Sequence, residues 1–243
     1  MIVQPIKTST IRTNQQDLVS ILDEYLSDFS DKCILVITSK IVSLCEGRAV
    51  DIKHADKTEL IHREADRVLA GDGGKFGIKF TITNNTLIPT AGIDESNTDG
   101  YYVLWPKDPQ TTANQIREYL VERFKVKHAG VIISDSTCSP LSWGTYGISL
   151  AHSGFKATNN YVGKKDIFGR KFNVSRSNVA GGLAASAVVT MGEGSEQTPL
   201  CMISDAPFVN FQSRNPSKKE LEQQKIPIDE DLFAPFLQAV EWE

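Results

Sequence analysis

The segment from Gly130 to Ser136 constrains the fold most strongly, because a short apolar run changes within it into polar residues. The apolar part, Val131–Ile133, consists of β-branched residues, which a buried strand favours. The run ends on a Ser-Asp-Ser sequence with Asp135 in the middle. A buried strand that stops on a carboxylate indicates a functional site at its end, so this segment predicts both an internal strand and a site.

A second segment, Ile88–Asn97, also delivers an acidic residue, Asp94, just after a glycine turn. Magnesium and manganese ions take carboxylate and hydroxyl oxygens as ligands, and phosphate oxygens complete their coordination. Asp94, Asp135 and the Ser136 hydroxyl are therefore interpreted as half of a metal and nucleotide site. The alternative for each single carboxylate is capping or a salt bridge.

Apolar periodicity along the chain predicts a mixed α+β fold. Strands are expected at Ile34–Ile37, Tyr101–Trp105, Val131–Ile133 and Leu200–Ile203. Helices are expected at Asp17–Phe29, Thr58–Leu69, Ala113–Phe124 and Asn178–Met191. Residues 1–243 are sufficient for a single catalytic unit, built as one large domain or as two interlocked lobes. Residues 212–243 are expected to form a polar connector followed by a C-terminal helix.

Charge and hydropathy exclude several classes of partner. With 26 basic and 30 acidic residues, the net charge of -4 provides no general attraction for nucleic acid or for an anionic membrane. No apolar stretch approaches the roughly 20 residues that span a bilayer, and the N-terminal residues lack a basic region followed by an apolar one. We therefore expect a cytoplasmic protein that binds neither nucleic acid nor membrane.

Several other motifs fail at single positions. In the segment Ala70–Gly77, Phe76 stands where a phosphate-binding loop needs Ser or Thr and where a dinucleotide-binding fingerprint needs its last glycine. Neither a P-loop nor a Rossmann motif is therefore predicted, and a flexible turn or a mobile flap is expected there. The four cysteines lack zinc-ligand spacing and are expected to be buried free thiols: Cys33, Cys45, Cys138 and Cys201. The four histidines lack a catalytic context and are expected in surface or packing roles: His54, His62, His128 and His152.

Six short motifs hold as a set, in a fixed order and at particular separations. They are Thr38–Arg48, Ala91–Asn97, Trp105–Pro109, Gly130–Ser136, Asp166–Arg170 and Met191–Gln197. Over most of the chain, the set resembles the γ-glutamyl ligases that add glutamate to the precursor of the deazaflavin coenzyme F-420. The resemblance implies an acid–amino-acid ligase that uses GTP and two magnesium or manganese ions. It also implies a mixed α/β fold unlike that of the Mur-type ligases, and an intertwined homodimer.

The resemblance assigns roles to individual residues of this chain. Asp94 and Asp135 match metal-binding carboxylates of the family, and Lys40 joins them as a catalytic residue. Ser136 takes the position of a metal-binding hydroxyl where threonine is usual, and Glu193 matches a further metal ligand. The residues expected to contact the nucleotide are Thr8, Ser9, Thr10, Ile11, Ser39, Lys40, Asn97, Gly192, Glu193, Gly194, Ser195 and Glu196.

The implied chemistry fits these residue types. A carboxylate does not react with an amine at neutral pH, so such a ligase transfers the terminal phosphoryl group of GTP to the acceptor carboxylate. The amine of L-glutamate then attacks the acyl phosphate. The protein's task is positioning and charge neutralisation, in which a lysine such as Lys40 adds a positive charge beside the phosphates. No side chain is needed as a covalent nucleophile.

Two regions depart from the family pattern. Where the ligases usually continue with Gly-Arg-Pro-Trp-Arg, this chain has Ser136–Gly144, which contains no arginine, and Leu44 replaces a common lysine. Arginine would bind the phosphodiester of the F-420 precursor, whereas a folate presents a glutamyl carboxylate without a phosphodiester. The acceptor is therefore left open between a deazaflavin and a folate. Trp105, Trp143 and Tyr146 are candidates for stacking on a flat pterin or for the core.

The same departures leave a second hypothesis from another class of protein. It is a nucleotide-binding regulatory protein that kept the fold and lost the chemistry, and it predicts nucleotide binding without turnover. The acidic residues Asp94, Asp135 and Glu193 favour the enzyme, because a protein that only binds nucleotide has no need of them.

Overall fold

The computed structural model describes residues 1–243 and contains twelve β-strands and seven α-helices. The strands are β1 (Ile2–Ile6), β2 (Cys33–Thr38), β3 (Ala49–Asp51), β4 (Arg67–Val68), β5 (Phe80–Thr83), β6 (Thr86–Pro89), β7 (Tyr101–Val103), β8 (Ala129–Cys138), β9 (Thr145–Ser153), β10 (Thr158–Asn160), β11 (Arg176–Asn178) and β12 (Leu200–Ser204). The helices are α1 (Leu18–Tyr25), α2 (Ser39–Cys45), α3 (Lys57–Glu64), α4 (Pro109–Phe124), α5 (Val179–Met191), α6 (Lys218–Glu222) and α7 (Ala234–Leu237). The predicted α+β fold class is confirmed.

A five-stranded sheet with the order β1-β12-β2-β8-β9 forms the centre of the fold. β2 and β8 are parallel, and the other neighbouring strands are antiparallel. The parallel register pairs Thr38, the last residue of β2, with Ser134 of β8. Ser39 and Asp135, which follow these two residues in the chain, are therefore brought to the same edge of the sheet.

Apolar side chains cover both faces of this sheet, and helices pack on each face. On one face, Leu35, Ile37 and Val131 belong to a first core that also includes residues of α1, α2 and α4. On the other face, Ile34 and Ile132 belong to a second core with α5, a helix made mainly of small and apolar residues. The result is a three-layer arrangement with the sheet between two layers of helix.

A smaller lobe forms between α2 and α4 in the chain. Its three-stranded sheet has the order β4-β5-β6, and β3 pairs with β7 beside it. Its core is small and includes Leu60 and Ile61 of α3 together with Ile93 and Leu104. The loop that carries Asp94 directly follows Ile93, so this lobe supplies one of the two predicted site carboxylates.

Two of the predicted helices are confirmed and have well-defined caps. Ala113–Phe124 lies within α4, which begins earlier because Asp108 caps it and Pro109 occupies its first turn. Asn178–Met191 matches α5, and the Asn178 side chain is its N-cap, accepting from the Gly181 N–H at 2.9 Å. Each cap supplies an acceptor for an amide group that the helix leaves free.

Two predicted elements end earlier than expected. The helix expected at Asp17–Phe29 ends at Tyr25, because Leu26 leaves the helical region with φ -106° and ψ 89°. The strand expected at Tyr101–Trp105 ends at Val103. In both cases the apolar residues beyond the end of the element are buried by tertiary packing. Periodicity does not distinguish such residues from residues inside a helix or strand.

One further helix prediction is wrong at its C-terminal end. The helix expected at Thr58–Leu69 ends at Glu64, because Arg67 and Val68 pair with β5 as the short strand β4. Residues 212–243, expected as a polar connector and a C-terminal helix, contain the two short helices α6 and α7. At Arg67 and Val68, pairing with β5 overrides the local helical pattern.

The cysteines are free thiols, but the expected burial is only partly confirmed. Cys33 and Cys201 are buried and Cys45 is half-buried, whereas Cys138 is exposed at the end of β8. Burial raises the pKa of the Cys45 and Cys201 thiols to about 11, so both stay protonated at neutral pH. The prediction is wrong for Cys138 because the buried part of its strand ends before it.

The remaining expectations about scaffold residues agree with the structure. His152 is buried in a packing role, and the other three histidines lie at or near the surface. The segment Ala70–Gly77 forms the expected turn, with a short 3-10 helix at Gly74–Phe76. None of the helices combines the length and the apolar character that crossing a bilayer requires.

Candidate functional site

Asp135 lies at the end of the buried run of β8, where two N–H groups donate to its carboxylate. The Trp105 indole N–H donates to Oδ2, and the backbone N–H of Ser136 donates to Oδ1 at 2.9 Å. Burial, together with the negative charge of Asp94, raises the pKa of Asp135 to about 6, although the two N–H donors act in the opposite direction. A carboxylate in this environment is stabilised by any further positive charge.

Asp94 lies in the loop of the smaller lobe and forms an ion pair with Lys40. The Lys40 Nζ is 2.7 Å from Asp94 Oδ2, and it also donates to the carbonyl oxygen of Ser96 at 2.8 Å. The backbone N–H and the hydroxyl of Ser96 donate to Asp94 Oδ1 at 2.7 and 2.8 Å. Burial opposes ionisation, but Lys40 and Ser96 outweigh it and hold the pKa of Asp94 below its usual range.

The two carboxylates come from different parts of the fold and interact at one place. Asp135 belongs to the main sheet, Asp94 belongs to the smaller lobe, and Lys40 lies in the first turn of α2. The charges of Asp94 and Lys40 both act on the pKa of Asp135, so the three side chains form one electrostatic unit. One ammonium group balances one of two carboxylates. The ionised centre is therefore net negative and favours a further cation.

A left-handed turn precedes Asp94 and determines its position. Residues 90–92 have φ values of 53°, 54° and 72°, a conformation that threonine and alanine rarely adopt. Such strain persists only where surrounding contacts hold it. Here the Ala91 N–H donates to the Thr81 hydroxyl oxygen at 3.0 Å, and the Asp94 N–H donates to the carbonyl oxygen of Val103 at 3.0 Å.

The segments expected to contact a nucleotide converge beside this centre. The Thr8 N–H donates to the carbonyl oxygen of Gln197 at 2.9 Å, and the Gln197 side-chain amide donates to the Thr10 hydroxyl at 2.9 Å. The Asn97 side-chain amide donates to the carbonyl oxygen of Gly194 at 3.0 Å. Hydrogen bonds thus join residues 8–11 and Asn97 to residues 192–197, although these segments are far apart in the sequence.

Individual residues of these segments differ in what they offer to a ligand. Ser9 and Thr10 are exposed, whereas Thr8 and Ser39 are buried. Ile11 is half-buried and packs against the first core, so its side chain serves packing. The hydroxyl groups of Ser9 and Thr10 are accessible to a ligand, whereas the buried residues hold the loops in place.

The oxygen donors expected for a metal lie around the same centre. The Ser136 hydroxyl donates to Glu193 Oε2 at 3.4 Å, which connects the end of β8 with the exposed loop Gly192–Glu196. No three His, Cys, Asp or Glu side chains converge closely enough to enclose a metal ion by themselves. The donor set of Asp94, Asp135, Ser136 and Glu193 contains oxygen alone, which fits magnesium or manganese. Such an ion would take its remaining ligands from water and phosphate.

The positions that depart from the family pattern lie in two environments. Leu44 is buried in the first core, so the missing lysine changes packing and removes no side chain from the centre. The hairpin between β8 and β9 carries Trp143 and Tyr146, whose exposed fractions are 97% and 42%, so the core interpretation is wrong for both. Trp105 is 5% exposed, and the core interpretation is confirmed for this residue.

Two interactions of the centre are not predicted from the sequence. The indole N–H of Trp105 donates to Asp135, whereas the sequence indicates this residue only as an aromatic for stacking or packing. Ser96 donates twice to Asp94. A signal exists for the second interaction, because an aspartate commonly accepts the N–H of the residue two positions later in an Asx turn. No local pattern indicates the first.

The fold and the centre together define an α+β enzyme with paired carboxylates, one ammonium group and exposed loop amides near the carboxyl ends of two parallel strands. Comparison with known proteins identifies the family. The F420-0:Gamma-glutamyl ligase family matches residues 5–205. The chain belongs to this family.

Several archaeal relatives are similar over nearly the whole chain. The coenzyme F420:L-glutamate ligase of Methanococcus maripaludis is 33% identical over 229 aligned residues, covering 87% of this chain and 90% of the relative. The protein of the same name from Methanocaldococcus jannaschii is 32% identical over 241 residues, covering 90% of each chain. That of Archaeoglobus fulgidus is 30% identical over 219 residues, covering 83% of this chain and 86% of the relative. These findings confirm the predicted family and the ligase class.

Proposed function

We propose that this protein is a γ-glutamyl ligase that uses GTP and divalent metal ions to add L-glutamate to a carboxylate acceptor through an acyl phosphate. The acceptor is a coenzyme F-420 precursor or a folate. The observation that carries the proposal is the interaction of Asp94, Asp135 and Lys40 at one centre, in a member of this ligase family. The printed names of the relatives support glutamate and coenzyme F-420 chemistry.

The reaction requires positioning and charge neutralisation more than a nucleophile. The γ-phosphoryl group of GTP passes to an oxygen of the acceptor carboxylate, and GDP is released. The glutamate amine then attacks the acyl carbon and loses a proton, and phosphate leaves. Magnesium or manganese, when bound, supplies positive charge to the phosphates. The residues that would hold it are Asp94, Asp135, Ser136 and Glu193.

Lys40 contributes the fixed positive charge of the centre. Its side chain is 26% exposed and is held by Asp94 and by the carbonyl oxygen of Ser96, so the ammonium group is oriented but accessible. A lysine in this setting acts on a phosphate as a point charge. The loops of residues 8–11 and 192–196, joined through Gln197, would place the nucleotide beside it. Asn97 adds a side-chain amide at the same position.

The hairpin that follows Asp135 supports an acceptor site without an arginine pair. Residues 136–144 contain no arginine, and Trp143 and Tyr146 are exposed on the hairpin and on the strand that follows it. Flat aromatic side chains with exposed faces stack on rings of similar size. We place the pterin of a folate or the deazaflavin ring against this hairpin, with the acceptor carboxylate directed to the centre.

Exposed apolar residues also support the proposed homodimer. Ile167 and Phe168 in the loop between β10 and β11 are almost fully exposed. Large exposed apolar residues that cluster on a surface mark association sites. A second copy of the chain would cover them.

A mass-spectrometric assay tests the ligase. Purified protein, GTP, L-glutamate and either Mg²⁺ or Mn²⁺ are supplied with the F-420 precursor or with a reduced folate in separate reactions. The proposal expects formation of GDP and a product heavier by one glutamyl residue on one of the acceptors. Replacement of GTP by ATP tests the nucleotide preference, and metal-free buffer tests the need for the cation.

Two variants control this assay. Asp135→Asn removes one negative charge from the centre and should abolish the product. Asp229→Asn is the matched control, because Asp229 is an exposed carboxylate in the turn after α6, and full activity is expected. Nucleotide binding by the unaltered protein without product on either acceptor would contradict the proposal and support the regulatory alternative.

A further inference from the structure

We propose that Trp105, whose indole lies against Gly92, positions Asp94 and Asp135 relative to each other and so determines the cation affinity of the centre. The inference rests on the proposed function, because it assumes that these carboxylates bind a divalent cation. Trp105 is then a positioning residue, since its indole contacts a carboxylate of the centre and acts through it.

The Trp105 side chain lies in the interior, where it reaches from the smaller lobe to the main sheet. It is 5% exposed, and its indole N–H donates to Asp135 Oδ2. An indole nitrogen only donates, so this hydrogen bond has one direction. The backbone N–H of Ser136 donates to Oδ1. Both oxygens of Asp135 therefore have a partner, which fixes the plane of the carboxylate.

Gly92 provides the surface on which the indole lies. Its φ is +72°, and a Cβ atom added there would overlap the indole Nε1 and the ring carbons beside it. The backbone of Gly92 therefore contacts the edge of the ring that carries the N–H donor. Because any larger residue would push this edge away, the glycine is required for the hydrogen bond to Asp135.

Backbone pairing explains why this contact connects the two carboxylates. Asp94 and Val103 form an antiparallel bridge with N···O distances of 3.0 and 2.8 Å. Gly92 is two residues before Asp94, and Trp105 is two residues after Val103, so the antiparallel register places them opposite each other. The indole thus links the segment that carries Asp94 to the strand that carries Asp135.

The backbone of Trp105 is anchored on its other side. The Arg48 Nε donates to the carbonyl oxygen of Trp105 at 3.0 Å, and the Leu104 N–H donates to the carbonyl oxygen of Arg48 at 2.9 Å. Arg48 in turn forms an ion pair with Glu64. Because Trp105 is held at both its backbone and its ring, a change in the ring is transmitted to Asp135.

Binding of Mn²⁺, measured alone and in the presence of GDP, tests the inference without turnover. Trp105→Phe keeps an aromatic ring and removes the N–H donor, and bound Mn²⁺ is measured as the lost electron paramagnetic resonance signal of the free ion. Loss of a group that orients a metal ligand lowers metal affinity on the order of tenfold or more, and we expect that loss here. Trp242→Phe is the matched control, because it removes an indole N–H that donates to the carbonyl oxygen of Leu237 at 2.8 Å in the C-terminal segment.

A second variant, Gly92→Ala, displaces the indole without removing its donor and should also weaken Mn²⁺ binding. In the ligation assay, both variants should require more Mn²⁺ for half-maximal rate, while the KM for glutamate stays unchanged. A general loss of structure would change both quantities. Circular dichroism shows whether each variant is folded. If one variant is misfolded, Mn²⁺ binding by the other variant tests the role of Trp105.

The possible outcomes separate the two proposals. Wild-type affinity for Mn²⁺ in the folded variants overturns the role of Trp105 and leaves the proposed function intact. Absence of Mn²⁺ binding to the unaltered protein, both alone and in the presence of GDP, refutes the proposed metal dependence, and the inference falls with it. Weaker binding in Trp105→Phe with unchanged binding in Trp242→Phe supports the inference.

Discussion

Replacement of Asp135 by asparagine should stabilise the metal-free protein at neutral pH. Burial and the charge of Asp94 raise the pKa of Asp135 from 3.8 to about 6, so the ionised form is less favourable in the folded protein than in the unfolded chain. Asparagine has nearly the same shape and no charge, and its side-chain oxygen still accepts the Trp105 N–H. The substitution therefore removes an unfavourable charge and keeps one hydrogen bond.

The magnitude of the stabilisation follows from the pKa. A tenfold change in proton affinity corresponds to about 1.4 kcal/mol, so a rise from 3.8 to about 6 sets an upper limit of about 3 kcal/mol. Asparagine loses the hydrogen bond from the Ser136 N–H, which offsets about 1 kcal/mol or more of this gain. We expect a net stabilisation of about 1–2 kcal/mol, which raises the Tm of a chain of this length by about 3–6 °C.

The direction of the pKa change determines the pH dependence. The stability contributed by Asp135 is fully present below its ordinary pKa of 3.8 and is lost as the pH rises through about 6. The gain from Asp135→Asn should therefore be largest at pH 7.5 and clearly smaller at pH 4.5. Burial lowers the pKa of His152 to about 4, so its contribution to stability rises with pH between 4 and 6.5. The effect of His152 is the same in the unaltered protein and in Asp135→Asn, so it cancels in the difference between their Tm values.

Differential scanning calorimetry in EDTA at the two pH values measures this difference. Asp229→Asn removes an exposed carboxylate and should leave the Tm unchanged at both pH values. Addition of Mn²⁺ should stabilise the unaltered protein more than Asp135→Asn and so narrow the gap between them. The reasoning is refuted if Asp135→Asn has a lower Tm than the unaltered protein at pH 7.5, or if its gain is the same at pH 4.5.

Lys40→Met should abolish ligation and lower stability by about 1 kcal/mol at pH 7.5, because Asp94 loses the partner that holds it ionised in a partly exposed pair. The mass-spectrometric assay and thermal unfolding measure this, and an unchanged Tm would contradict a stabilising ion pair. Gly154→Ala should cost about 2 kcal/mol or more in urea unfolding, because Gly154 has φ +81° and an added Cβ would overlap the carbonyl oxygen of Ala129. A smaller loss would show that the backbone relaxes there. Trp143→Ala should leave the Tm unchanged, because the side chain is 97% exposed, but raise the KM for the acceptor and not for GTP. An unaltered KM for the acceptor would exclude Trp143 from the acceptor site.

The helices and strands that could be predicted from the sequence are those in which the apolar pattern and the residues that end the element indicate the same boundaries. β8 is recognisable from its β-branched run, and α4 from its apolar periodicity behind Asp108 and Pro109. The helix expected at Thr58–Leu69 carries the same kind of periodicity, but its last residues pair with β5 instead. Local pattern does not distinguish a buried helical turn from a short strand, because both require only apolar side chains at the right spacing.

The candidate site follows the same division. Asp94 and Asp135 are recognisable from motif and residue type, because carboxylates after strands or glycine turns suit cation chemistry, and Lys40 follows from the resemblance to the ligase family. The hydrogen bond from Trp105 to Asp135, which connects the smaller lobe with the main sheet, is not recognisable from the sequence. Trp105 is distant from Asp135 in the sequence, and a donor for a carboxylate has no required spacing.

The sequence by itself determined the fold class and the ligase family and indicated the candidate acidic residues, since these depend on residue type, periodicity and short motifs. Only the tertiary structure decided that Lys40 pairs with Asp94, that Asp94 and Asp135 act on each other, and that Trp105 holds one of them. It also decided that Trp143 is exposed while Leu44 is buried. The physical reason is that pKa values, hydrogen bonds and burial depend on distances through space, and those distances arise when the smaller lobe packs against the edge of the main sheet.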